Sequence, residues 1–289
     1  MSSRVWLITG ASSGFGQSLV SSVLARGDRV IATSRSLEPI RHLEGTSENL
    51  RLLQLDVTAG EELLRRRMKD AVAAWGRLDV VVNNAGACYL GMLEEGGSAL
   101  LRKQYDVNVF GLVDVTAACL PYLREQNEGT IVVIGSRSAW TAETVGLGPY
   151  GSSKAAVHAI AETLSVELAP FNIRVLLVEP SAFRTRMVRT AENYNTSNPI
   201  AAYDGTREEN MRWYASRDGL QPGDPDKAME AVVDVVRGEG AACGKPWPGY
   251  LLLGKDADRD IRAKCRVMTE HLDEWREVVR GVDLEEDDQ

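Results

Sequence analysis

The chain has 289 residues, 44% of them hydrophobic and 26% charged, with a formal net charge of −8. That is enough chain to bury a large core, and the acidic balance argues against nucleic acid as a partner. Four widely spaced cysteines (Cys88, Cys119, Cys243, Cys265) read as free thiols of a reducing compartment, and with His42, His158 and His271 scattered no metal is expected.

The first apolar run, Val5–Thr9, is too short for a signal or a membrane span, so the expected location is cytoplasmic with no membrane partner. Thr9-Gly10-Ala11-Ser12-Ser13-Gly14-Phe15-Gly16 follows it and opens a helix over Gln17–Arg26. Gly10 permits a tight turn, Gly14 lets backbone approach a pyrophosphate, and Gly16 lets helix and strand pack closely. The second strand, Arg29–Thr33, runs into Ser34-Arg35, where no acidic residue is present to bind ribose hydroxyls. The Arg35 guanidinium instead suits a 2′-phosphate, with the Ser12 hydroxyl able to assist. This favours NADP(H) over NAD(H).

A third strand, Leu50–Leu55, ends at Asp56, whose carboxylate can accept from an adenine amino group or cap the turn. A helix over Glu61–Trp75 and a fourth strand, Asp79–Asn83, come next. The Asn83-Asn84-Ala85-Gly86 tip is small enough for a ribose to pass. Another helix is expected over Leu100–Glu125. The fifth strand, Thr130–Gly135, puts Ser136 at its C-terminal edge, where open α/β sheets bind ligands. Tyr150 and Lys154 then lie four apart on a helix, so phenol and ammonium share a face. A nearby ammonium favours the phenolate and suits a tyrosine to proton transfer, while Ser136 can hold a substrate oxygen.

A sixth strand (Ile173–Val178), a helix (Asp226–Arg237) and a seventh strand (Tyr250–Leu253) complete the pattern. The strand runs are continuously apolar, as in strands buried on both faces. Alternation with helices gives a Rossmann-type doubly wound parallel sheet of about seven strands. Residues 1–255 make one domain, and the long insertion 184–225 reads as a substrate lid. Residues 256–289 form a charged amphipathic helix (Ile261, Cys265, Met268, Leu272, Trp275, Val279) and a solvated acidic tail. Substrate-facing candidates are Arg137, Ser138, Trp140, Thr144 and Val145, with Phe183, Tyr203, Trp213 and Tyr214 from the lid. The aromatics suit an apolar or ring-bearing ketone, or else pack the lid itself. Arg137 can meet an acidic substrate or pair with Glu143.

Several of these stretches occur together and in order: TGASSGFG at 9–16, NNAG at 83–86, Asn108-Val109-Phe110-Gly111, IGS at 134–136, YGSSK at 150–154 and EPSAFRT at 179–185. In these the chain resembles the classical short-chain dehydrogenases/reductases over about residues 3–255. The resemblance implies an NADP-dependent oxidoreductase acting on a small-molecule carbonyl or alcohol. It makes Tyr150 the general acid/base, Lys154 the ribose ligand that lowers the tyrosine pKa, and Ser136 the group that orients the carbonyl. Asn108 would hold a water linking Lys154 to solvent. Thr185 would meet the nicotinamide carboxamide in a turn begun by Pro180, and Ser13, Phe15, Val57 and Phe183 would line the cofactor. A homodimer through the helices near 100–125 and 150–170 is implied, with a tetramer less so. A regulatory NADP(H)-binding scaffold, or a dehydratase or isomerase, are alternatives on the same fold. Two departures stand out. Thirteen residues separate Ser136 from Tyr150, leaving Ser138 as a second candidate, and Ser181 replaces the glycine that usually follows Pro180.

Overall fold

The computed structural model describes residues 3–141, 143–187 and 194–284. Its strands are β1 (Val5–Ile8), β2 (Arg29–Ser34), β3 (Leu50–Gln54), β4 (Val80–Asn83), β5 (Gly129–Ile134), β6 (Ile173–Pro180) and β7 (Tyr250–Leu253). They form one sheet in the order β3-β2-β1-β4-β5-β6-β7, with every neighbouring pair parallel. The order reverses between β1 and β4, and a crevice opens there beyond the carboxyl ends of the strands.

Both faces of this sheet are covered, which is why its strands read as unbroken apolar runs. Val5 and Leu7 face α2 (Glu61–Ala73), α4 (Gly111–Gln126) and α5 (Gly148–Leu168). Trp6 and Ile8 point the other way, toward α1 (Gly14–Ala25) and the later helix Pro225–Arg237. All four strand residues have no exposed surface. Each such side chain contributes about 2 kcal/mol of apolar burial.

The helix expected over Leu100–Glu125 is longer and broken. α3 (Leu93–Tyr105) and α4 are joined by a π-helical turn, Asp106–Phe110. The cause is a tertiary one. Asn108 accepts from the Ala87 N–H (2.8 Å) and donates to the Ala87 carbonyl (3.0 Å), so the widened turn follows its docking on the β4 loop.

The segment expected as a lid, 184–225, contributes α6 (Asp204–Ala215), followed by α7 (Pro225–Arg237). Its positions 188–193, Ala142 and the tail beyond residue 284 lie outside the described residues. The C-terminal helix α8 (Lys255–Glu274) and a short α9 (Arg276–Arg280) follow β7. Ala257 and Ile261 are buried, but Met268, Leu272, Trp275 and Val279 of the expected apolar stripe are exposed. At Ser181 the ladder continues instead of turning sharply: its N–H donates to Leu253. The only described non-glycine residues with positive φ are Asn127 and Asn172. Serine in place of glycine is therefore unstrained there.

Candidate active site

The Gly-rich turn is built by hydrogen bonds from β4. The Thr9 hydroxyl donates to the Val82 carbonyl and accepts from the N–H groups of Asn84 and Ala85, each at 3.0 Å. The Asn84 amide donates to the carbonyls of Thr9 (2.8 Å) and Gly10 (3.1 Å). Its side chain thus shapes the turn. The space is glycine's alone: a Cβ on Gly16 would sit 2.2 Å from the Gly10 carbonyl oxygen, and one on Gly10 2.9 Å from Ala85 Cα. Ser13 caps α1 without a side-chain bond to it, so the first N–H groups of the helix remain available to an anion.

Above this turn lies a cleft of about 350 Å³. Of the expected cofactor residues, Gly10, Ser12–Phe15, Arg35, Asp56, Val57, Asn84–Gly86 and Thr185 line it, whereas Gly16, Asn108, Tyr150, Lys154, Pro180 and Phe183 do not. A wider cavity of about 890 Å³ beside it shares Ser12, Ser13, Gly14, Thr185 and Arg186, and adds Arg184. Arg35 is exposed, and its carbonyl accepts from Gln54 at 3.0 Å. One oxygen of Asp56 accepts from the N–H and hydroxyl of Thr58 (3.0 and 2.8 Å). Phe183 stands edge-on to Phe15, centroids 5.3 Å apart. A cleft floored by glycines, open to helix N–H groups and edged by a guanidinium fits a dinucleotide.

Cys88 and Met187 of the cleft wall pack against Tyr150, where β5 and α5 meet. Tyr150 sits in the first turn of α5 and Lys154 one turn on. Lys154 is 5% exposed, and its ammonium donates to the Ile134 carbonyl at 2.6 Å, lying 5.8 Å from the Tyr150 ring centre. Burial pulls the lysine pKa down to about 8, against the opposing pull of the Glu179 carboxylate. Burial likewise drives the Tyr150 phenol well above its ordinary value, and the Ser136 hydroxyl draws it partly back. Of the two serines, it is Ser136 whose hydroxyl stands in hydrogen-bonding reach of the phenol. Ser136 also caps the turn Arg137–Ala139, accepting from the Ser138 N–H at 3.1 Å. The Asn108 amide also donates to Ser153 at 3.0 Å, so both its hydrogens and one lone pair of its oxygen are held by Ala87 and Ser153, next to Lys154.

Residues 4–195 match the model of the short chain dehydrogenase family. The chain belongs to that family. An uncharacterised oxidoreductase of Bacillus subtilis is 34% identical over 244 residues, covering 82% of this chain and 85% of its own. An oxidoreductase of Botryotinia fuckeliana is 32% identical over 278 residues, 95% of this chain and 97% of its own. A solved short-chain dehydrogenase from Streptomyces avermitilis superposes with a TM-score of 0.84 at 35% identity, covering 98% of this chain and all of that one. Solved structures with the short-chain dehydrogenase fold have been determined with NADH and with NADP.

Several expected substrate residues of this short-chain dehydrogenase are engaged elsewhere. Arg137 meets neither Glu143 nor the cleft: it pairs with Asp260 of α8, while Glu143 pairs with Lys264 at 2.9 Å. The Trp140 indole donates to Glu179 at 2.6 Å and stands edge-on to His158 at 5.2 Å. Tyr203 donates to Glu94 at 2.7 Å, and Trp213 is 45% exposed with Arg217 over its ring. Thr144 is half-buried and Val145 exposed. Only Tyr214 joins the catalytic cluster, packing with Cys88, Leu90, Tyr150 and Tyr194.

Four contributors had gone unnoticed in the sequence. Cys88 is buried, which pushes its thiol up to about 12, so it is a neutral wall beside Tyr150. Met187 places its sulfur 3.8 Å from the Tyr150 hydroxyl. Tyr194 packs in the same cluster. Glu179, with no exposed surface, bonds Trp140 and the His158 Nδ1 (2.9 Å) and helps keep Lys154 charged. Glu179 alone had a readable signal, a carboxylate closing an otherwise apolar strand.

Proposed function

We propose that this short-chain dehydrogenase reduces a ketone or aldehyde to an alcohol, or runs the reverse reaction, with NADP(H) in preference to NAD(H). The observation that carries the reading is the grouping of Ser136, Tyr150 and Lys154 behind Cys88 and Met187, two residues that line the cleft and pack against Tyr150. Arg35 at the cleft edge, in a chain with no acidic residue closing β2, supports the phosphorylated cofactor.

When bound, the reduced nicotinamide supplies the hydride. Tyr150, kept protonated by its burial, gives its proton to the carbonyl oxygen as charge develops there. Ser136 holds the same oxygen by hydrogen bonding. Lys154 is predominantly charged at neutral pH and stabilises the phenolate left behind, as does the start of α5. The buried Cys88 stays a thiol and adds no competing charge.

The decisive experiment is a panel of ketones, aldehydes and alcohols followed by NADPH absorbance with wild type and Tyr150→Phe. The expected result is turnover that falls about 10²-fold or more in the variant while NADPH still binds. Full activity in Tyr150→Phe overturns the mechanism. A homodimer through α4 and α5 is part of the same reading, supported by the exposed Phe110, Val113 and Val166. Light scattering that gives only monomer removes it.

A further inference from the structure

Next to Tyr150 the lid buries polar atoms that the protein does not satisfy. Tyr194, Tyr214 and Asn210 are 9%, 8% and 8% exposed. Among the described residues, the hydroxyls of Tyr194 and Tyr214 and the Oδ1 of Asn210 have no hydrogen-bond partner. Buried polar groups in folded proteins are nearly always paired, and each one left unpaired costs stability. Three in one place, beside the candidate acid, call for a ligand.

Their orientation is well determined. The Asn210 amide nitrogen donates to the Val145 carbonyl at 2.8 Å, which leaves its oxygen as the free end; the flipped amide would set two oxygens against each other. Both oxygens approach the Gly146 backbone closely: a Cβ built there, at φ +73°, would lie 2.6 Å from Asn210 Oδ1 and 3.2 Å from the Tyr194 hydroxyl. The two unpaired oxygens therefore lie side by side. Tyr214 packs with Tyr194 and Tyr150 in one cluster, and burial keeps it a neutral phenol.

The donor and acceptor pattern narrows the ligand chemistry. Asn210 Oδ1 only accepts, while a neutral phenol both donates and accepts. A carboxylate has no hydrogen to donate and would set an acceptor against Asn210 Oδ1. A hydroxyl can donate to Asn210 and accept from a phenol. We propose that Tyr194, Tyr214 and Asn210 form a second polar subsite that takes a hydroxyl of the substrate remote from the reacting carbonyl. The substrate class is then a hydroxylated, otherwise apolar ketone. This rests on the carbonyl reading of Tyr150.

The test compares matched ketones with and without one remote hydroxyl: benzylacetone against its para-hydroxy derivative, and decalone against hydroxydecalone. Wild type, Tyr194→Phe, Tyr214→Phe and Tyr150→Phe are assayed with NADPH. The expected result is a kcat/KM about tenfold or more higher for a hydroxylated member in wild type, with the ratio falling toward one in Tyr194→Phe and Tyr214→Phe. Because neither hydroxyl has a protein partner, both variants should melt no lower than wild type. The subsite is overturned by a ratio near one for every pair that wild type reduces, by a ratio unchanged in both variants, or by a fall of several degrees in Tm. In each of those outcomes, activity that depends on Tyr150 leaves the carbonyl reading standing. Failure of wild type to reduce any ketone overturns the carbonyl reading, and the subsite with it.

Discussion

Arg137 and Asp260, 123 residues apart, form an ion pair that ties α8 to the residue immediately after Ser136. Lys264 repeats the tie one turn later by holding Glu143. The C-terminal helix is thus a brace on the segment between Ser136 and Tyr150, the stretch that is one residue longer than the family resemblance implies. Both Arg137 and Asp260 keep some exposure, 27% and 21% of their side chains, so the pair adds little to global stability. Asp260→Ala combined with Lys264→Ala should lower stability by about 1 kcal/mol or less. It should raise KM several-fold by loosening residues 137–143. Urea unfolding and steady-state kinetics check this; a KM equal to that of wild type removes the brace.

Gly16→Ala puts a methyl group 2.2 Å from the Gly10 carbonyl oxygen, a backbone atom that cannot swing aside. The expected outcome is a loss of about 3 kcal/mol of stability together with much weaker NADPH binding. Urea unfolding and titration of NADPH fluorescence measure the two. A variant that binds NADPH as wild type does shows that the turn does not hold the cofactor.

Arg35→Asp replaces the guanidinium at the cleft edge with a carboxylate. The ratio of NADPH to NADH efficiency should fall by roughly tenfold to a hundredfold, the worth of a charge-assisted contact. An unchanged ratio, measured by steady-state kinetics on both cofactors, rejects the assignment of Arg35.

The lowered pKa of Lys154 has a stability consequence with a definite sign. Its value is about 8 in the folded protein, against 10.5 in the unfolded chain. Between those values the unfolded state binds more protons, so stability rises with pH across that window. Lys154→Met lacks this term and keeps Tyr150. The stability of wild type relative to Lys154→Met should therefore increase from pH 7 to pH 10, by at most about 3 kcal/mol. Urea denaturation of the cofactor-free proteins at the two pH values measures it; a difference independent of pH contradicts a buried, strained ammonium.

The five inner strands were legible because burial on both sheet faces writes itself as continuous apolar runs; the edge strands β3 and β7 are half-exposed and were legible from Leu-rich runs alone, and all ends fall within two residues of expectation. Gly10, Gly14 and Gly16 were legible because each answers a backbone requirement of its own position. Tyr150 and Lys154 were legible because four residues make one helical turn. The π-helical turn was not, since it depends on Asn108 reaching Ala87, 21 positions away. Trp140 and Arg137 looked available to a substrate only because their partners, Glu179 and Asp260, are 39 and 123 residues distant.

The sequence by itself determined the sheet, the order of its helices, the phosphate-binding turn and the pairing of a phenol with an ammonium. Each of these follows from local spacing and the burial of nearby side chains. The tertiary structure alone places the Ser136 hydroxyl by the Tyr150 phenol, ties α8 to the segment between them, and gathers Tyr194, Tyr214 and Asn210 beside Tyr150. Those contacts join elements that sheet order and strand register bring together, and no local pattern along the chain encodes which side chain will meet which.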